Sequence, residues 1–247
     1  MNYISCILIS ISVFICVAAE PAFTGSESDV PLSRLKILAK GRNNEWFHHT
    51  STTPSVSEMK NTILEWKRNG WRHVRFVFEY SRANDENYLS TRVDPVIEQC
   101  IKAQFGVLLD PCHYDGSMMN SPSPDNAEWL ETFWARFSKR MSKHDPEYVY
   151  FELFNEPHRS DPAQWYTVQN RLIPIVRKNA PEHTIITATN LRTKSGEWNA
   201  TKVLIESTVL SSDKNVIYNF HMYKPKEFTH QGASWDSWAS QFHNLQW

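Results

Sequence analysis

Glycine is scarce, with seven residues in a chain of 247. None of them completes G-x-G-x-x-G, a Walker phosphate loop or G-x-S-x-G. Dinucleotide-binding, P-loop and serine-hydrolase readings therefore lose their main support. Net charge is also nearly absent, at −1 with a pI near 6.8, which argues against a basic nucleic-acid or membrane-binding surface. The four cysteines form no C-x-x-C pair, no H-E-x-x-H occurs, and the ten histidines are scattered. No metal and no organic cofactor is expected.

One long apolar run stands out, Ile4 to Ala19, without a single charge. It falls short of the about 20 residues that a membrane span needs, and Val17-Ala18-Ala19 offers a small-residue cleavage site. Residues 1–19 are expected as a signal peptide, although Met1-Asn2-Tyr3 lacks the usual Lys or Arg, and 20–247 as one secreted, extracellular domain. Cys6 and Cys16 would leave with the peptide. Cys100 is placed mid-helix and Cys112 just past the following strand. A helix packs about 10 Å from a sheet, so two buried thiols are favoured over one bridge, which needs Cα atoms within roughly 7 Å.

What is present is globular and aromatic: 41% hydrophobic, 21% charged, 13% aromatic, with ten tryptophans. Strands are predicted at Leu35–Leu38, Val74–Phe78, Val107–Leu109, Tyr148–Phe154, Thr184–Ala188 and Val216–Phe220. Helical patterns separate them. Ser55-x-x-Glu58 reads as a capping box ahead of Met59, Ile63 and Trp66, with Gly70 as the stop. Asp94-Pro95 and Asp161-Pro162 open two more helices, the second with Pro174 as an expected kink. Pro124 opens another, whose Trp129, Phe133, Phe137 and Met141 recur every fourth residue. Further helices are predicted at Val203–Val209 and from Ser234, carrying Trp235, Trp238 and Phe242. The strand spacing, roughly 32 to 43 residues, fits βαβ units and a buried parallel sheet. Spacing does not separate a doubly wound sheet from a barrel.

In a (β/α) barrel the chemistry sits at the C-terminal ends of the strands. There the sequence places Arg75, then Asp110-Pro111-Cys112-His113, then Phe151-Glu152-Leu153-Phe154-Asn155-Glu156-Pro157, then Phe220-His221-Met222-Tyr223. This set suits cleavage of a glycosidic bond, whose oxocarbenium-like transition state needs one carboxylic acid and a second carboxylate. Glu156 is the candidate acid, with a pKa expected to be raised by enclosure and a neighbouring carboxylate. Asn155 suits a sugar 2-hydroxyl, Arg75 the nucleophile, and the two histidines ring hydroxyls. Glu152 shares a face with Phe154 and Glu156 by alternation, and is expected to pair with Arg75. Trp66, Trp129, Trp165 and Trp238 lie on helical stripes and read as core. Trp46 and Trp198 lie in predicted loops at the rim, where an indole face can stack on a sugar. Arg82 to Glu86 reads as a solvated loop.

The segment Tyr150-Phe151-Glu152-Leu153-Phe154-Asn155-Glu156-Pro157 closely resembles the acid/base signature of glycoside hydrolase family 5, the cellulase family of clan A. Asn219-Phe220-His221-Met222-Tyr223-Lys224-Pro225 and Phe228–Ala233 are similar to its strand-six region. Arg75 and His113 fall where that family places an arginine and a histidine. The resemblance covers roughly residues 35 to 240. It implies a (β/α)8 barrel of TIM type that cleaves β-linked polysaccharide or oligosaccharide with retention; a monomer is expected. Glu156 would be the acid/base, and Arg75, His113, Asn155, His221 and Tyr223 would line the cleavage subsite. The family's nucleophile is a Glu ending strand seven, and no such segment follows Tyr223. Glu197 and Glu227 fit no strand-seven pattern. About six of eight β/α units are therefore expected in this chain. Two accounts compete with an active enzyme as written: a carbohydrate-binding remnant, and a longer protein of roughly 310 residues or more.

Overall fold

The computed structural model describes residues 29–47, 54–113, 122–207, 211–234 and 236–246; the expected signal peptide lies outside them. The first predicted strand is a helix. Leu32–Leu38 forms α1, whose buried residues, Arg34 and Leu38, stand four apart, the helical period rather than the strand one. The first strand, β1, is instead the polar stretch Gly41–Phe47. Helix α2, Val56–Arg68, opens with the expected capping box: the Ser55 hydroxyl accepts from the Glu58 amide, and the Glu58 carboxylate accepts from the Ser55 amide.

Strand β2, His73–Glu79, leads into two short helices, α3 (Tyr80–Ala83) and α4 (Glu86–Tyr88). The segment expected as a solvated loop, Arg82–Glu86, thus spans the end of α3, a two-residue link and the start of α4. It is pinned from Arg136, which donates to the carbonyls of Ala83 and Asn84, and from Arg140, which pairs with Glu86. A five-residue turn, Leu89–Val93, joins it to α5, Asp94–Lys102. Then follow β3 (Gly106–His113), α6 (Glu128–Met141), β4 (Val149–Glu152), α7 (Pro162–Asn179), β5 (Ile185–Ala188), α8 (Ala200–Glu206) and β6 (Val216–Asn219). Helix α6 begins four residues later than Pro124 suggested, and α7 runs on past Pro174. The amphipathic helix expected from Ser234 does not form. Its place holds only one 3-10 turn, Ala239–Gln241, among the described residues, and a short helix, α9, Lys226–Thr229, lies upstream of it. Trp238 is 42% exposed, with its ring against Phe242 and Lys226, and is not core.

The six strands form one parallel sheet in the order β1-β2-β3-β4-β5-β6. A doubly wound sheet reverses its strand order at a switch point. Here every strand neighbours its successor, which is the winding of a (β/α)8 barrel. The outward sheet face packs on the helices. Val74, Phe76, Val107, Leu109, Val149, Phe151 and Ile185 lie in one buried cluster with Ile63, Trp66, Ile97, Trp134, Phe137, Trp165 and Leu172. Each such burial contributes about 1.5–3 kcal/mol.

The inward face is layered. Leu108, Tyr150 and Ile186 pack with Leu38 and with Ile37 of α1, which closes the N-terminal end of the strands. Backbone approaches are tight there: a Cβ on Gly106 would stand 2.5 Å from the Ile37 side chain, and one on Gly41 would overlap the His73 ring. The buried His73 ring bonds to the Ile37 carbonyl, and desolvation holds it neutral, with a pKa down to about 4. Arg34 anchors α1 to the far strands through the Glu182 carbonyl and Thr184. Cys100 is a buried free thiol on α5, as expected. The Cys112 side chain lies outside the described atoms.

Candidate active site

Alternation places Arg75, Asp110, Glu152 and Asn219 on the inward face, toward the C-terminal strand ends. Arg75 is their centre. Its Nε donates to Glu152 Oε2 at 2.6 Å, and the two hydrogens of its Nη2 serve three acceptors, Glu152 Oε1, Asp110 Oδ2 and Asn155 Oδ1, each at 2.9 Å, so that one hydrogen is shared. Asn219 Nδ2 donates to Glu152 Oε1 at 3.3 Å. The expected Arg75–Glu152 pair is therefore present. The expected shared face of Glu152, Phe154 and Glu156 is not. β4 ends at Glu152, and both Leu153 and Phe154 then join the helix-side core. Phe154 packs on Trp165, while the Trp134 and Trp165 indoles donate to the carbonyls of Leu153 and Ala188.

Two residues on, Glu156 adopts φ 48°, a left-handed conformation that is uncommon outside glycine and is found at functional sites. Its carboxylate is half-buried and meets two residues that follow β6. His221 Nδ1 lies 2.8 Å from Glu156 Oε1, and the Tyr223 hydroxyl donates to the same oxygen. Tyr223 is itself braced by Thr229, which donates to its carbonyl, and by the edge-on ring of His230.

Burial alone would push the Glu156 carboxyl up. His221, by hydrogen bond and charge, then Tyr223 and Arg75, more than reverse this and hold it down to about 2. This corrects the expected raised pKa. The strongest groups acting on Glu156 are donors and cations, whereas the expectation rested on a neighbouring carboxylate. Of the other buried carboxylates, Glu152 and Asp110 are both engaged by Arg75. The Tyr223 hydroxyl donates to this same candidate acid. It is held well above the usual phenol range by burial, with the Glu156 charge adding to the effect.

Trp46 departs from its expected position. It sits in β1, not a loop, and stacks on Trp66 at 5.1 Å and Phe76 at 5.7 Å, against the helix-side core. Trp198 does lie at the rim, 57% exposed, beside His158 and Arg192. His113 ends β3 with its backbone paired to Glu79, and its ring lies outside the described atoms. Asp110 and Asn219 were missed as site residues. The period-two signal that placed Glu152 beside Arg75 also reaches Asp110, two residues beyond inward-facing Leu108.

Arg75, Asn155, Glu156, His221 and Tyr223 thus converge at one end of a singly wound parallel sheet. The profile of cellulase, glycosyl hydrolase family 5, matches residues 34–246. The chain belongs to that family. Cellodextrinase A of Ruminococcus flavefaciens is 32% identical over 189 residues, 70% of this chain and 52% of that protein. Endoglucanase 3 of Fibrobacter succinogenes is 28% identical over 162 residues, 63% of this chain and 24% of the relative. The chain spans about half or less of these family members. Among solved structures, the endoglucanase Cel5A of Thermotoga maritima superposes with a TM-score of 0.71 at 27% identity, covering 88% of this chain and 71% of that one. The same enzyme with a mannotriose substrate gives 0.70 at 26% identity, again over 88% and 71%.

Proposed function

We propose that the protein is a secreted, retaining glycoside hydrolase of endoglucanase type, acting on β-linked glucan or a related polysaccharide, with Glu156 as general acid/base. The observation that carries this reading is the Glu156 carboxylate, half-buried at the strand ends and gripped by His221 and Tyr223 beside the Arg75–Asn155 contact. Relatives named for cellodextrin and glucan cleavage support the substrate class, as does a family member solved with mannotriose. The apolar run from Ile4 to Ala19 supports export.

In this reading Glu156 protonates the leaving oxygen and then, ionised, draws a proton from the incoming water. Asn155 donates to a sugar hydroxyl, and His113, His221 and Tyr223 line the same subsite. Retention requires a second carboxylate about 5–5.5 Å away as nucleophile. Such a neighbour would also raise the Glu156 pKa, since two close carboxylates resist joint ionisation. The chemistry calls for no metal or organic cofactor.

Glu156→Gln should lower hydrolysis of a natural glucan by about 100- to 10,000-fold, the range for removing a general acid, in a reducing-sugar assay. Retained activity would exclude Glu156 from this role. One observation favours a second reading, a chain that binds glucan without cleaving it: His221 and Tyr223 both bond to Glu156 Oε1 and lower its pKa, which favours the carboxylate over the protonated form that a general acid needs. Glucan affinity without released reducing ends from the 247-residue chain would select that reading.

A further inference from the structure

The inward face changes character between two layers. Leu108, Tyr150 and Ile186 form an apolar floor. Toward the rim, Arg75, Asp110, Glu152 and Asn219 form a polar layer in which Asp110 and Glu152 are both 0% exposed. Folding alone does not require this layer, because replacing a buried ion pair by apolar groups is often neutral or stabilising. In it, carboxylates from two different strands share one guanidinium.

The geometry shows what this sharing does. Glu152 takes Arg75 side-on, through Nε and Nη2, and fixes the plane of the guanidinium. Asp110 holds the same Nη2 from a second strand. With its plane and one corner fixed, Arg75 presents Nη2 to Asn155 Oδ1. A guanidinium only donates, so the Asn155 oxygen must be the acceptor, and its Nδ2 remains as a donor in a set orientation. Glu152 also accepts from Asn219 of β6, the strand that leads to His221 and Tyr223.

We propose that Glu152 and Asp110 are positioning residues of the hydrolytic site. Acting through Arg75, they fix the Asn155 carboxamide with its oxygen turned to the guanidinium and its nitrogen left to donate to a substrate hydroxyl. The substrate half of this statement rests on the glycosidase reading; the orienting half does not.

The test uses the ligand-free, 15N-labelled chain, in which the Asn155 side-chain amide signals are assigned by their loss in Asn155→Ala. Glu152→Gln and Asp110→Asn should each shift or broaden those signals. They should leave unmoved the pair from Asn179, whose Nδ2 donates to Ala135 and Ile175 carbonyls in the helix layer. An unmoved Asn155 pair in a folded variant overturns the proposal. If Glu152→Gln does not fold, Asp110→Asn, acting on the same Nη2, is read in its place.

A double-mutant cycle on glucan hydrolysis supplies the functional arm. Glu152→Gln should lower kcat/KM by up to about 100-fold, as for a misplaced contact of about 1 Å, and should add little in an Asn155→Ala background. Additive losses would overturn the link through Asn155. Absence of any hydrolysis by the unmodified chain would count against the glycosidase reading alone, and the amide spectrum would still decide the orienting role.

Discussion

Two ion clusters in this molecule have opposite composition. On the helix layer, Asp94 at the start of α5 accepts from Arg140 at 2.8 Å, Lys143 at 2.6 Å and His144 at 3.1 Å, and Arg140 also holds Glu86. One carboxylate is shared among several donors. Inside the sheet, one guanidinium is shared between two carboxylates and an amide. The outer cluster sits where helix dipoles already favour it, since Asp94 lies in the first turn of α5 and Arg140 in the last turn of α6. Water reaches it: the Lys143 side chain is 51% exposed. The inner cluster has neither advantage. The outer charges join helix to helix, and the inner ones hold an orientation beneath the rim.

The sharpest way to break this contrast is to remove each hub. Arg75→Met would remove the guanidinium that holds the buried Glu152 and Asp110 carboxylates. Loss of one partner from a buried charge pair costs about 3–5 kcal/mol, and a drop of that size is expected in urea or thermal unfolding at pH 7. A loss near zero would mean that the inner ion pairs add nothing to the stability of the folded chain.

The inner hub was legible in the sequence because two independent regularities met there. Period-two alternation sets Arg75 and Glu152 on one face, and the Asn155-Glu156-Pro157 motif marks the strand end. The same alternation failed two residues later, since it assumed that β4 ran on, whereas Leu153 and Phe154 both turn to the helices. β1 was hidden for a different reason. Gly41–Phe47 carries two asparagines and a glutamate, and its strand form is set by pairing with β2. The apolar run beside it, Leu35–Leu38, was too short to tell helix from strand by pattern alone. Trp238 and Phe242 had helical spacing, but no core face receives them. The lowered pKa of Glu156 was not legible at all, because it depends on which donors reach Oε1.

A smaller effect is expected at the outer hub. Asp94 is held well below the ordinary carboxylate range: burial opposes ionisation, but the hydrogen bonds from His144, Arg140 and Lys143 outweigh it. A depressed folded pKa means that the unfolded chain takes up the proton first. The stabilisation is therefore complete above the unfolded value, about 3.9, and is lost as pH falls through the lower folded value. Asp94→Asn should destabilise the chain by about 1–3 kcal/mol at pH 7. The gap to the parent should close below about pH 4. A gap that is constant with pH would show that packing, not charge, holds this junction.

The least effect should come from Lys143. Its ammonium lies 2.6 Å from Asp94 Oδ2, the shortest contact in the outer cluster, yet half of the side chain remains in water. Distance alone would rank it first. Exposure reverses that ranking, because a solvated ammonium gives up hydration and side-chain freedom to form the pair, and such pairs contribute about 0.2–1 kcal/mol. Arg140 is different, with a side chain only 15% exposed and bonds to both Asp94 and Glu86. Lys143→Ala should therefore cost less than about 1 kcal/mol, and the loss should vanish in 1 M salt, where the screening length is about 3 Å. Arg140→Ala should cost more and keep most of its loss in salt. If both losses vanished equally, the outer cluster would be a surface network throughout, and its difference from the Arg75 site would be one of burial rather than of charge count.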